Sequence, residues 1–211
     1  MKDFFYIFVS TFEASAALIL MLHLFRFSVV PYWKYLIYFS VFFAVLSFTL
    51  RVSLNLSSYF PLITIAFFVL FAFYIMRAPL FWSFVIATIT TITTTVLQTS
   101  VLLAADWLHI IDIELEDQTN LISRMLQFIS AILSVTISSY LYRRGIGFAF
   151  NFDRFRLKWE NLLMITIALL LFLAFFVTFF NHEFYFSAMI SLVTFIFLLF
   201  FALRKEKADL D

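Results

Sequence analysis

The chain has 211 residues, of which 64% are hydrophobic and 13% are charged, and its formal net charge is +1. Soluble domains are closer to half apolar and one quarter charged, so this composition excludes an ordinary soluble domain. Several apolar runs of helix length instead predict one all-α membrane domain, over residues 1–211, in the lipid bilayer of the cell membrane.

Seven apolar runs predict a polytopic bundle of seven transmembrane helices. A signal peptide is the alternative for the first run, because Ala14-Ser15-Ala16 resembles a cleavage site. The apolar sequence continues to Phe25, which favours a membrane span. The predicted spans are residues 4–25, 35–50, 61–76, 80–104, 124–142, 162–180 and 184–203.

The distribution of basic residues predicts the topology. With seven spans, eleven of the 14 Lys and Arg residues lie on one side, and only Lys2, Arg51 and Arg124 lie on the other. Because basic residues collect on the cytoplasmic side, the N-terminus is predicted outside and the C-terminus inside. The acidic loop 106–123 is then outside. The segment 143–160, where aromatic and basic residues interleave, is cytoplasmic and typical of contact with anionic headgroups.

The fourth run carries a polar stripe. Its polar residues are spaced by three or four positions and so share one helix face; they are Thr88, Thr91, Thr95 and Gln98. Such side chains are better placed against other helices than against lipid. We therefore expect this helix to be central, with the others packed around its stripe, and we expect Thr95→Leu to overpack it.

The fifth run has a similar but smaller stripe. Gln127, Ser130, Ser134 and Ser138 recur at helical spacing. Small hydroxyl residues at this spacing suit close packing on another helix. We expect Ser130 and Ser134 to face the protein interior.

Glu13 lies near the middle of the first span, where a charged side chain is costly. One interpretation is a paired or protonated carboxyl that locks the first helix into the bundle. A second is a ligand or proton site, and a third is an interfacial first segment that leaves Glu13 in water. We expect burial among helices one, four and five, with Gln98 or Gln127 as the hydrogen-bond partner. Arg124 is the expected counter-charge, and Arg51 is the reserve.

Other chemical motifs are sparse. The chain has no Cys, which excludes disulfides and a cysteine nucleophile. His23 is expected to be a satisfied structural residue, and the loop containing His109 and Asp112 is expected to be solvated and to hold no metal. Because no catalytic set is visible, we expect no enzyme activity, no cofactor and no nucleic-acid partner.

Seven apolar spans, an outside N-terminus and a charged cytoplasmic exit at Arg204–Asp211 carry one resemblance. The layout resembles the membrane sensor domain of peptide-pheromone receptor histidine kinases of Gram-positive bacteria. Those receptors continue into a dimerisation helix and an ATPase domain, whereas this chain stops at Asp211. The resemblance implies a stand-alone relative, or one that works through another polypeptide, and it assigns no functional residue.

Two functional hypotheses follow. The first is a non-enzymatic membrane receptor or accessory subunit, which binds a ligand or partner and signals through another protein. Its ligand-binding residues would be Glu13, Arg51, Gln98, Arg124 and Gln127. The alternative is a small-molecule transporter, or a substrate-binding subunit of one, whose path is lined by the polar stripe of the fourth run. Against it, both Gly residues lie in one loop, so no span contains the glycine common in broken helices.

Overall fold

A computed structural model describes residues 2–53, 60–108 and 121–145, together with Gly147 and Val193. Regular structure in these ranges is entirely helical, which confirms the all-α prediction. The helices are α1 (Lys2–Leu24), α2 (Trp33–Phe48), α3 (Phe60–Tyr74), α4 (Leu80–Trp107) and α5 (Leu121–Arg143). A 3-10 turn, Val30–Tyr32, precedes α2, and a π-helical turn, Thr49–Ser53, follows it.

Among the described residues, four segments are long and apolar enough to cross a membrane, which supports a membrane protein. They are Phe4–Leu24, Val30–Val52, Trp82–Trp107 and Ile122–Arg143. By contrast, α3 has 15 residues and would be about 22 Å long, shorter than a bilayer core of about 30 Å. The predicted third span is therefore a helix, although not one long enough to qualify as a crossing by itself. The predicted spans 162–180 and 184–203 lie outside the described residues.

Among the five described helices, α1 has more extensive packing than α4, the helix predicted to be central. The stripe of α4 does face inward, but α1 packs extensively on α5 and α2 and also contacts α4. Leu18, Met21 and Leu22 on α1 have no exposed surface, so this half of α1 is buried on several sides. A uniformly apolar helix shows little periodicity, and this is why the polar stripe of α4 gave the stronger sequence signal.

Phenylalanine side chains join α2 to α3. The ring centroids of Phe43 and Phe67 are 4.7 Å apart, and those of Phe39 and Phe71 are 5.2 Å apart. These separations and their tilted or edge-to-face geometry are favourable for aromatic pairs. Phe42, whose ring centroid lies 6.3 Å from that of Phe67, is nevertheless exposed, as expected for a side chain in contact with lipid.

A tight turn connects α3 to α4, as the sequence Arg77-Ala78-Pro79 predicted. Arg77 adopts a left-handed conformation with φ of 56°, and the Ala78 amide donates to the Ala72 carbonyl at 3.2 Å. Bonds of this kind satisfy carbonyls at a helix end. The turn makes α3 and α4 neighbours that run in opposite directions, so that the ends of the bundle are built from alternating helix termini.

Alternating helix directions give the bundle two ends. The middle of α1, the end of α2, the start of α3, the second half of α4 and the first half of α5 meet around Glu13; we call this the cavity end. The last turns of α1 and α5 meet around His23 and Ser138; we call this the packed end.

Candidate binding cavity

A cavity of about 330 Å³ lies at the cavity end and is lined by residues of all five helices. Its walls combine aromatic and aliphatic side chains with charged, amide and hydroxyl groups. Four of the five residues predicted to bind a ligand line it: Glu13, Arg51, Gln98 and Gln127. The structure therefore brings residues from four separate elements into one site, while their role in binding a ligand stays a prediction.

Glu13 projects from α1 into the cavity wall and is partly buried. Gln98 of α4 donates a hydrogen bond from Nε2 to Oε1 of Glu13, which confirms Gln98 as the predicted partner. Gln98 lies one helical turn beyond Thr95 on the predicted stripe, so the spacing of α4 alone directed it to this place. An amide donor provides part of the solvation that a carboxylate loses inside a membrane bundle.

Arg124 is buried beside the cavity, but it does not form the predicted ion pair. No direct ion pair joins Glu13 and Arg124, both of which the structure describes. Arg124 instead donates from a terminal nitrogen to Oε1 of Gln127 at 2.9 Å, and its guanidinium carbon lies 3.9 Å from the ring centroid of Tyr6. Arg124 therefore has a hydrogen-bond acceptor one turn along α5, Gln127, and an aromatic face on α1, Tyr6. These two contacts take the place of an ion pair with Glu13.

Arg51, the predicted reserve, lines the cavity together with Glu13, whereas Arg124 does not line it. It continues the buried face of α2, where Ser40, Ala44 and Ser47 precede it at spacings of four and three. The π-helical turn that carries Arg51 is a form often found at functional sites. The predicted ion pair between Glu13 and Arg124 is therefore not formed, and the turn that follows α2 places Arg51 in the cavity wall.

The surroundings of Arg51, which is half-buried, are unusual for a cation. Its guanidinium carbon lies 3.7 Å from the ring centroid of Phe60, the first residue of α3. Its Nε is buried and has no hydrogen-bond partner in the described part of the chain. The aromatic face accounts for one side of the guanidinium plane, and the edge of the plane still lacks an acceptor.

The threonine stripe faces inward as predicted, but its hydroxyl groups are used differently. Thr91 is buried, and Thr95 and Gln98 line the cavity. Threonine hydroxyls of α4, within and beside the stripe, each donate to the carbonyl four residues earlier at 2.8–2.9 Å. The donors are Thr88, Thr90, Thr91, Thr93 and Thr95. The donors are thus satisfied inside α4, and the cavity wall receives polar oxygen atoms with spare acceptor capacity.

The stripe of α5 shows the same behaviour. Ser130 and Ser134 are buried, as predicted, and line the cavity. Ser130 donates to the carbonyl of Gln127, and Ser134 donates to that of Ser130, each at 2.8 Å. Because both hydroxyls bond within α5, this stripe contributes small packing surfaces and polar oxygens without using those donors to cross-link helices.

Sequence reasoning missed two contributors at the cavity end, namely Tyr6 on α1 and the polar residues along α2. Tyr6 supports Arg124 through its ring and approaches Ser47 of α2, with 3.3 Å between the two hydroxyl oxygens. Ser40, Ser47 and Arg51 recur at helical spacing along α2 and the turn that follows it. This spacing was a signal that could have identified a third polar face, beside those of α4 and α5. Tyr6 offered no comparable signal, because one tyrosine in an aromatic-rich helix is unremarkable.

His23 has the structural role expected of it. Its Nδ1 lies 3.2 Å from the Ser138 hydroxyl, and its ring stacks on Tyr142 with centroids 4.7 Å apart. In the described ranges, no group of three His, Asp or Glu side chains is arranged to hold a metal ion. His109 and Asp112 lie outside those ranges.

No protein-family model, curated protein or solved structure matches the chain.

Proposed function

We propose that this chain is a non-enzymatic, multi-pass protein of the cell membrane that binds a small ligand in the cavity and signals through a partner protein. The proposal includes a single domain over residues 1–211 with seven spans, an outside N-terminus and a cytoplasmic C-terminus. With that topology, the cavity end would be the outer end of the bundle. The ligand would therefore arrive from outside or from the outer leaflet.

The observation that carries the proposal is a cavity among five largely apolar helices, whose mainly apolar wall also carries charged, amide and hydroxyl groups. Its volume of about 330 Å³ lies at the lower end of the range for small-molecule sites, about 300–1,000 Å³. Charged and amide side chains inside a membrane bundle are costly and usually mark a functional site. Glu13, Arg51 and Gln98 come from three helical elements and converge here, which is the arrangement that ligand recognition requires.

Binding can be tested by identifying small molecules that co-purify with the full chain from native membranes. Thr94→Trp would fill the cavity, because Thr94 lines it. Thr136→Trp is the matched control, because Thr136 is exposed on α5 and its hydroxyl also donates to a carbonyl four residues earlier. A molecule retained by the wild type and the control, but lost from Thr94→Trp, supports the proposal. Equal retention by all three proteins contradicts it.

The transporter alternative has one supporting observation. Thr91, Thr94 and Thr95 form a continuous polar wall along α4, which could line a path. A receptor cavity should be open to one side of the membrane, whereas a transporter site should be reached from both sides in turn. Labelling of Thr94→Cys by an impermeant thiol reagent from one side only favours the receptor, and labelling from both sides favours the transporter.

The topology has an independent test. Cysteines introduced at Glu116 and Lys158 lie in the acidic and basic segments, and the native chain has no Cys. Impermeant labelling of intact cells should modify Glu116→Cys and spare Lys158→Cys. The reverse pattern would overturn the proposed orientation.

A further inference from the structure

We propose that the cavity is an anion-binding site, in which Arg51 holds the carboxylate or phosphate group of a small ligand. The inference rests on the proposed function, because it assigns a chemical class to the ligand that the cavity would bind. It is carried by the contacts of Arg51, by the balance of charge around the cavity, and by the size of the site.

The contacts of Arg51 leave the edge of its guanidinium available. Phe60 covers one face of the plane at 3.7 Å from the guanidinium carbon, while the buried Nε finds no acceptor among the described residues. Buried donors normally have partners, and an unsatisfied one indicates a missing ligand, ion or water. The planar fork of a guanidinium matches a carboxylate or phosphate in two parallel hydrogen bonds.

The charges around the cavity favour an anion over a cation. Of the charged side chains that the structure describes, Glu13 and Arg51 line the cavity, and the buried Arg124 lies between two lining residues of α5, Ser123 and Gln127. Glu13 already accepts from Gln98, and Arg124 is occupied by Gln127 and Tyr6. These three charged side chains therefore leave one positive charge in excess, in surroundings where an uncompensated charge is unfavourable. A single negative charge on the ligand would neutralise it.

The neutral part of the ligand would face the hydroxyl-lined walls. Thr94, Thr95 and Ser130 place oxygen atoms there whose donors are already used within their helices. Those oxygens can accept hydrogen bonds from hydroxyl or amide groups. The volume limits the bound portion to a small molecule or to the headgroup of an anionic lipid, and both sources share the chemistry that Arg51 recognises.

The test measures the Tm of the full chain in phosphatidylcholine nanodiscs with probes of different charge. Propionate and phosphate are the anions, propylammonium is the cation, and glycerol is neutral. We expect only the anions to raise the Tm, by about 3–6 °C at ten times Kd. Nanodiscs with part of the phosphatidylcholine replaced by phosphatidylglycerol form the lipid arm. Stabilisation there and not by free anions assigns the anion to a lipid headgroup, and the inference still stands.

Variants locate the effect. Arg51→Gln should abolish the anion-dependent shift, and Arg51→Lys, which keeps the charge, should retain part of it. Arg144→Gln is the matched control, because Arg144 also lies over an aromatic ring, Tyr140 at 5.2 Å, but is exposed outside the cavity. An anion shift that survives Arg51→Gln, or is equally lost from Arg144→Gln, overturns the inference. The wild-type probe series decides the matter even if Arg51→Gln does not fold.

Failure of this inference can be separated from failure of the proposed function. If the cation or the neutral probe stabilises the wild type and Thr94→Trp removes that shift, the cavity binds a ligand but the anion assignment is wrong. If neither the free probes nor the phosphatidylglycerol nanodiscs raise the Tm, the anion assignment is also wrong, and the co-purification experiment judges the proposed function independently.

Discussion

Two regions of α1 differ in their packing: its last turns are closely packed, whereas its middle borders the cavity. At the packed end, Met21 and Leu22 have no exposed surface, and His23 is held by Ser138 and Tyr142. At the cavity end, Glu13 and Arg51 line the same cavity. Both side chains are described by the structure, and they form no ion pair with each other. Close packing gives stability, whereas polar groups arranged around a void leave room for a ligand. The contrast teaches that α1 joins a close-packed region to one that borders a cavity.

Backbone contacts reinforce the packed end. Arg26, with φ of 60°, donates a hydrogen bond to the Gly145 carbonyl beyond α5. A Cβ at Gly147 would lie only 2.7 Å from the Leu24 carbonyl oxygen, so the chain after α5 passes directly over the end of α1. The end of α1 and the segment after α5 are thus held against each other.

Shortening a side chain at the packed end should have the largest effect. Met21→Ala should reduce the free energy of unfolding by roughly 2–5 kcal/mol, because a fully buried side chain leaves a void. Phe8→Ala is the control, because Phe8 is exposed on the same helix. Unfolding of the purified proteins measures both changes. Equal losses would show that burial does not distinguish the two positions.

Enlarging side chains on α4 should sharpen the contrast between the ends. Ala87→Leu should cost about 1–3 kcal/mol, because Ala87 is fully buried in the apolar core. Thr95→Leu should cost less than about 1 kcal/mol, because Thr95 borders the cavity. This revises the overpacking expected from sequence. Comparable destabilisation of both variants, measured by unfolding, would argue against an open volume beside Thr95.

Removing the amide partner of Glu13 should have a smaller effect. Gln98→Leu should cost about 1–2 kcal/mol, because the carboxylate loses its hydrogen-bond donor. In a Glu13→Leu background, the same change should be nearly neutral, since no acceptor is left unsatisfied. The unfolding free energies of both singles and the double give the coupling. Simple additivity would mean that the Glu13–Gln98 bond is not made.

The smallest effect is expected at His23. His23→Phe keeps a ring to stack on Tyr142 but loses the hydrogen bond to Ser138, and such bonds between membrane helices average about 0.6 kcal/mol. Adding Ser138→Ala to His23→Phe should change little further, as unfolding measurements can check. A loss of several kcal/mol from His23→Phe would assign His23 a role beyond this contact.

Much of the fold could be predicted because apolar runs bounded by charge or proline determine helix limits. The fourth run, predicted as residues 80–104, is the helix Leu80–Trp107, and the fifth, predicted as 124–142, is Leu121–Arg143. The central position of α1 could not be predicted, because Leu18, Met21 and their neighbours are apolar on every face. Helix packing depends on shape, which a uniformly apolar sequence does not encode as a pattern.

The site was predictable in its members and less so in its pairings. A costly mid-span Glu13 and the spacing of Gln98 were enough to bring those two together. The choice between Arg51 and Arg124 depended on side-chain direction, on the π-helical turn and on the ring positions of Phe60 and Tyr6. Those features follow from tertiary packing, and for this reason the sequence could not show that Arg51 lines the cavity while Arg124 bonds to Gln127.

Solute access to the cavity tests the central claim most directly. Thr94→Cys at the cavity end and Ser138→Cys at the packed end can be compared in an otherwise Cys-free chain, using a small water-soluble methanethiosulfonate. The account predicts that the cysteine replacing Thr94 reacts at least about ten times faster, because a polar cavity admits a small solute and a close-packed interior does not. Equal rates, or faster reaction of the cysteine replacing Ser138, would contradict it.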